Sequence, residues 1–243
     1  MRLSNKDLSW LTRTPIAHRG LHNILVAENS LSAIKNAYDA GYNIEIDVHK
    51  TKDNVVVVHH DYDLLRSCGV DKKISDLTLA EVQKYHIFGT DEHIPTLLDV
   101  ISLVPNANLL IEIKNEGTDR TLEDLTIQTL KNFHGNFAIQ SFNPFSIRHI
   151  AKIDSSIAIG ILSSAFKKEK MSGIKKFLLS RMIFAKPKNV DFVSYNIDDV
   201  PNKYINKYKI KLAWVCRSEN EYSRIQNDVD NIIFEHYTPP IKN

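Results

Sequence analysis

The chain is poor in cysteine. Cys68 and Cys216 are the two in 243 residues, far apart and without metal-type or redox-type spacing, which argues against a stapled scaffold and suits a reducing compartment. It lacks any apolar run near the ~20 residues needed to cross a bilayer. The first residues, MRLSNKDLSWLTRTP, lack the apolar stretch of a secretory signal. A soluble, cytoplasmic protein is expected. Charge of one sign is also missing: 31 basic residues face 29 acidic ones, which argues against a general nucleic-acid binder. Internal repeats, low-complexity tracts and an obvious second-domain linker are absent.

What remains is a chain of 43% hydrophobic residues, with the length of one α/β barrel or two small domains. Short apolar runs recur at 15–18, 43–48, 108–113, 136–140, 157–162, 191–194, 211–215 and 231–234. Helical spacing lies between several of them. Leu31, Ile34 and Tyr38 share one face. Leu122, Leu125, Leu130 and Phe133 share another, and 218–227 is a shorter helix. Strand alternating with helix predicts parallel βαβ units, and eight strands close naturally into a (β/α)8 TIM barrel. An open doubly wound sheet competes, but no glycine-rich turn follows the first strand. Residues 60–95 break the rhythm, with turn signals and one short helix near 79–85. They are read as a small insertion after the second barrel strand, entered through an extra extended piece at 55–59, within a single domain spanning 1–243.

The polar residues gather at the ends of the apolar runs, where barrel enzymes keep their chemistry. His18 and Arg19 follow the first run. Glu45 and Asp47 close the second, and Glu112 and Lys114 the third. Gln140 and Ser141 end the fourth, Trp214 and Arg217 the seventh. Strand alternation puts Glu45 with Asp47, and Glu112 with Lys114, on one face each. Ionised carboxylates in such runs are costly unless something pairs with them. Buried cations are one account, and Lys114 could serve one carboxylate. A divalent cation accounts for all three, and three hard oxygen donors suit Mg²⁺ or Ca²⁺ better than zinc. His18 and His60 then stand as a general acid and base. The other histidines read as ordinary, with His49 and His59 turned away from the site.

Taken in order, PIAHRG, AENS, IEIDVHKTKDNVVVVHHD, IPTLLDV, LLIEIK and QSFNP resemble the glycerophosphodiester phosphodiesterases. The match runs through the first 145 residues and continues more loosely in LAWVCRSENE and VDNIIFEHYTP. The resemblance implies a (β/α)8 barrel that cleaves glycerophosphodiesters to glycerol 3-phosphate and an alcohol. It implies His18 and His60 as the catalytic pair and Glu45, Asp47 and Glu112 as metal ligands. Arg19 and Lys114 become phosphate contacts, Glu28 and Asn29 the family's Glu-Asn pair, and Trp214 a lining residue of the pocket. His18 is read as the base and His60 as the acid, an order that the sequence itself does not fix. Two blocks depart from the pattern. Trp214-Val215-Cys216-Arg217 stands where Trp-Thr-Val-Asn is usual, and Phe234-Glu235 where the last strand usually ends in Thr-Asp. Arg217 thus brings a cation to the mouth, which would favour a second negative charge on the substrate.

Residues 167–188 carry eight basic side chains and one acidic one, with Ile174, Phe177, Leu178 and Met182 on one helical face. They read either as a solvated outer helix or as a weak contact for an anionic membrane surface. Competing functions are a lysophospholipase D or sphingomyelinase D-like action on lipids, and a non-catalytic ligand-binding barrel. Retention of both histidines and all three carboxylates argues against the last.

Overall fold

The computed structural model describes residues 7–167, 169–186 and 188–241. Residues 168 and 187 of the basic stretch, and 1–6 of the N-terminal segment, lie outside the described residues. The chain divides into two compact units, one of residues 17–137 and one of residues 1–16 with 138–243. The first strand, β1 (Ile16–Ala17), crosses one boundary.

The 17–137 unit continues with β2 (Asn43–Lys50), β3 (Val56–Val58), β4 (Asp63–Leu64), β5 (Val70–Lys73) and β6 (Asn108–Ile113). Strands β2 and β6 are parallel, with Asp47 opposite Glu112. Residues 43–49 are all buried, so the side chains on both faces of β2 sit in the interior. The extended piece at 55–59 is β3, paired antiparallel to β2 through His49 and Val57. Within 60–95, β4 and β5 form a small antiparallel ribbon. Around it are the short helices Leu65–Cys68 and Leu79–Val82, the second capped by Thr78 and Glu81. Leu64, Ile74, Leu77, Val82 and Ile87 give this region its own apolar cluster against Val57.

The helix Leu31–Asp39 begins where the Ser30 hydroxyl accepts from the Ala33 amide. Its buried face is Ala33, Ile34 and Ala37, whereas the apolar spacing pointed to Leu31, Ile34 and Tyr38. Close approach explains the difference. The Leu21 amide donates to the Ala33 carbonyl at 2.8 Å, and a Cβ on Gly20 would lie 2.6 Å from the Ala33 carbonyl carbon. A residue without a Cβ is needed at position 20, and Leu31 and Tyr38 are left partly exposed.

The other unit holds β7 (Asn136–Ser141, which crosses the second boundary), β8 (Ala158–Ser163), β9 (Phe192–Asn196), β10 (Ile210–Cys216) and β11 (Asn231–Phe234). Neighbours from β7 to β11 run parallel. The Asn231 amide donates to the Leu11 and Thr14 carbonyls at 2.8 and 2.7 Å, which ties down the N-terminal helix Trp10–Arg13. Strand order is β1-β11-β10-β9-β8-β7-β6-β2-β3, with β1 also paired to β2. Apart from the marginal β3, that is the topology of a closed eight-stranded (β/α)8 barrel.

Candidate active site

The expected site residues His18, Arg19, Glu28, Asn29, Glu45, Asp47, His60, Glu112 and Lys114 all belong to the 17–137 unit. The β2–β6 register places Asp47 beside Glu112, and alternation along β2 sends Glu45 to the same side. Each of the three offers a carboxylate oxygen within 4.8 Å of the others, and all three are buried.

Two cations enter this cluster. Lys114 Nζ donates to Glu112 Oε1 at 2.7 Å and lies 3.1 Å from Asp47 Oδ1. The Arg19 amide donates to Glu45 Oε2 at 3.0 Å, and its Nε is 3.4 Å from Asp47 Oδ2. Asn29 completes the frame, its side-chain amide donating to Asp47 Oδ2 at 2.9 Å. Arg19 and Asn29 both take left-handed backbone angles, with φ of 54° and 58°. Such angles are uncommon for non-glycine residues and collect at sites where surrounding contacts hold them.

Three carboxylates against two cations leave one negative charge uncompensated, and the electrostatics register it. Burial pushes the Asp47 carboxyl up, but Lys114, Arg19, His60 and His18 outweigh that and hold it far below the ordinary range. Glu45 goes the other way. Burial, then the charges of Asp47 and Glu112, drive it well above normal despite Arg19. Glu112 is also raised, by burial above all. Burial depresses the Lys114 ammonium, yet Asp47 and Glu112 raise it on balance. Asp47 Oδ1 is fully buried and accepts no hydrogen bond of good geometry among the described residues. A buried carboxylate oxygen met by the Lys114 charge but by no well-aligned donor, beside an excess negative charge, is what a divalent cation with oxygen ligands would satisfy.

His60 follows β3, and its Nδ1 lies 2.6 Å from Asp61 Oδ1. Arg66 binds the other Asp61 oxygen through Nε at 2.6 Å, and grips Glu28 through Nη1 and Nη2 at 3.2 and 2.6 Å. Glu28 in turn accepts from Arg19 Nη1 at 2.8 Å. The chain of contacts thus runs Arg19–Glu28–Arg66–Asp61–His60. Burial opposes the charge on both carboxylates, but Arg66 with Arg19 lowers Glu28 to about 2, and Arg66 with His60 lowers Asp61 to about 2. Burial, ahead of the opposing Asp47 charge, lowers His60. An open cleft of about 550 Å³ is lined by His60, Asp61, Tyr62, Asp63, Leu65 and Arg66.

Asp61 and Arg66 were missed by sequence reasoning. The one available signal was an acidic residue directly after His60, and nothing in the spacing marked Arg66 as its clamp. His49 and His59 are buried and internally bonded. The His49 ring lies 3.1 Å from the His60 carbonyl, and the His59 ring meets the Asp61 carbonyl at 2.9 Å and the Ser67 hydroxyl at 2.8 Å. Trp214 belongs to the other unit, where Phe142 meets its ring edge-on at 5.6 Å. Its indole N–H is buried without an acceptor among the described residues. In that unit Arg217 pairs with Glu235 at 2.8 Å. The Arg217 side chain in this pair is about half exposed, at 51%.

The sequence model of the glycerophosphoryl diester phosphodiesterase family matches residues 18–198. A glycerophosphodiester phosphodiesterase of Caldanaerobacter subterraneus is 35% identical over 159 residues, covering 60% of this chain and 65% of its own. Human lysophospholipase D GDPD1 is 37% identical over 112 residues, 41% of this chain and 35% of its own. The matches thus span less than two thirds of these relatives' lengths. A Thermotoga maritima glycerophosphodiester phosphodiesterase superposes with a TM-score of 0.70 at 26% identity, covering 91% of this chain and 94% of that one. An Oleispira antarctica phosphodiesterase, solved with the product sn-glycerol-3-phosphate, gives 0.77 at 24% identity and 93% of both chains.

Proposed function

The chain belongs to the glycerophosphoryl diester phosphodiesterase family, and from that premise we propose that it hydrolyses glycerophosphodiesters to glycerol 3-phosphate and an alcohol at the Glu45–Asp47–Glu112 cluster. The observation that carries this reading is the convergence of three buried carboxylates, two cations and the His60–Asp61 pair in one unit. Glu45, Asp47 and Glu112 would hold a divalent cation, Mg²⁺ or Ca²⁺. Bound there, it would supply positive charge to the phosphoryl oxygens and favour ionisation of the attacking hydroxyl or water.

The rest falls to the chain's own side chains. Arg19 presents a planar fork to phosphate oxygens and Lys114 a point charge, and both are preorganised by the carboxylates that hold them. Glu28 and Asn29 orient this arrangement. Glu28 fixes the guanidinium of Arg19, and Asn29 fixes the carboxylate of Asp47. Asp61 is ionised at neutral pH, so it accepts from His60 Nδ1–H. That tautomer leaves the Nε2 lone pair of neutral His60 to take a proton from the attacking oxygen. His18, which follows β1, is the partner that returns a proton to the leaving alkoxide.

Release of glycerol 3-phosphate from a glycerophosphodiester, measured with and without a chelator, tests the reading. Activity is expected, lost on chelation and restored by Mg²⁺ or Ca²⁺. No release under any metal condition would refute the function, and chelator-insensitive release would refute the metal. The similarity to a lysophospholipase D supports a second substrate class at the same site, and choline release from lysophosphatidylcholine separates the two.

A further inference from the structure

We propose that the surface formed by the helix Gly173–Ser180 and its flanks binds the anionic face of a lipid bilayer. This stands apart from the phosphodiesterase reading, since the surface lies in the other unit and uses none of the residues assigned above.

The helix buries none of its residues completely. Its inner side is occupied: Leu178 and Leu179 line a small apolar cavity with Phe166 and Met182. Ile174 and Phe177 take no part in that lining. They are 77% and 47% exposed, and Phe184 just beyond the helix is 50% exposed. Phe184 meets Phe145, also about half exposed at 52%, with ring centroids 6.0 Å apart. Burying large apolar side chains is favourable by about 25 cal/mol per Å². Leaving several on one short stretch therefore calls for something to cover them.

The charges around them say what that is. Lys167, Lys170, Lys175, Lys186 and Lys188 are exposed in the same stretch. Of these, Lys167 is committed to an ion pair, with Asp199 at 2.7 Å. Arg181 lays its guanidinium 3.7 Å over the Phe177 ring, so charge and apolar surface alternate at the level of single side chains. Residues 167–188 carry a net +7, against +2 for the whole chain. Apolar side chains that enter the acyl boundary, flanked by lysines that reach the headgroups, are the chemistry of interfacial binding. A nucleic acid would use the lysines but offers nothing to Ile174. A second copy across a two-fold axis would bring like charges together. No helix among the described residues is long and apolar enough to cross a membrane, so the contact would be peripheral.

The test is co-sedimentation of the full chain with phosphatidylcholine vesicles, with and without phosphatidylglycerol, at low and high salt. Binding is expected with phosphatidylglycerol at low salt and should weaken as salt rises. The combined variant Lys170→Ser/Lys175→Ser/Lys186→Ser should lose on the order of 100-fold in partitioning, about five-fold per lysine. Ile174→Ser, at a position too exposed to support the fold, should weaken binding at constant charge. Ile174→Ser/Phe177→Ser should weaken it further, with an unchanged circular dichroism spectrum and melting temperature confirming that the variant folds. Absence of binding to phosphatidylglycerol vesicles at low salt overturns the proposal. So does equal binding to neutral vesicles, or full binding by both serine variants of the apolar pair. Capture of a single-stranded RNA in place of vesicles, or a dimer in sedimentation equilibrium that Ile174→Ser dissociates, reassigns the surface and equally overturns it.

Discussion

Replacing Asp61 by asparagine removes one negative charge and changes almost no volume. In the parent, Asp61 Oδ1 lies 2.6 Å from His60 Nδ1 while Oδ2 holds Arg66 at 2.6 Å. A hydrogen bond to a charged group contributes about 1.5–3 kcal/mol, and each 1.36 kcal/mol in the barrier is a factor of ten. The expected loss in kcat/KM is therefore roughly 10- to 100-fold. It grows toward about 10⁴ if the amide turns its NH₂ to His60 and forces the wrong tautomer, as the same exchange does in a Ser-His-Asp triad. Stability should change little. Arg66 keeps Glu28 at 2.6 Å, and a partly exposed pair such as Arg66–Asp61 is worth at most about 1 kcal/mol.

The pH profile carries a sign. Burial lowers His60, and the Asp61 carboxylate, by favouring the imidazolium, partly offsets that. Without the carboxylate His60 falls further. The acid limb of kcat/KM, which reports protonation of the base in the free enzyme, should then move to lower pH in Asp61→Asn. Glycerol 3-phosphate release across a pH series gives both numbers. A variant within about two-fold of the parent in kcat/KM, or an acid limb displaced upward, would refute the assignment of Asp61 as the group that positions His60.

Asp47→Ala should abolish turnover and also destabilise the protein by about 3–5 kcal/mol, because Lys114 and Arg19 would remain buried without their shared partner; urea unfolding checks this, and a midpoint equal to the parent's would contradict it. Gly20→Ala adds a Cβ 2.6 Å from the Ala33 carbonyl carbon at a φ of +78°. A loss of at least about 1–2 kcal/mol is expected, and unchanged thermal stability would count against that packing. Glu45 has its folded pKa raised above the unfolded value, so its protonated form contributes stability at low pH that is lost as pH climbs through the folded value. Since a cation and a proton compete for the cluster, the rise in melting temperature on adding Mg²⁺ or Ca²⁺ should grow from pH 5 to pH 8. An increment that shrinks over that interval would count against Glu45 as a ligand.

The strands were legible because both their faces are buried. Runs such as 108–113 and 231–234 stand out as short, mainly apolar stretches, and the structure reproduces those two limits. The carboxylates stood out for the same reason, as charges where none is affordable, and the two-residue alternation put Glu45 with Asp47. The helix faces were less legible. Apolar spacing around residue 34 selected the bulky Leu31 and Tyr38, whereas the structure buries Ala33 and Ala37 beside Ile34, with the Ala33 carbonyl against the Gly20–Leu21 backbone. Arg66 was invisible because its partners, Glu28 and Asp61, lie 38 and 5 positions away in sequence, and no periodicity links positions in an irregular loop.

Position 29 faces two demands at once. Its backbone takes a left-handed angle, which glycine, asparagine and aspartate bear most easily. Its side chain must also donate a hydrogen bond to the buried oxygen of Asp47. Glycine meets the first demand and has no donor. Aspartate meets it and would bring a fourth anion into a cluster already short of cations. Glutamine carries the donor on a stem too long and a backbone too reluctant. Saturation of this codon should therefore return a single working residue, while Leu31, two places along and partly exposed, tolerates many.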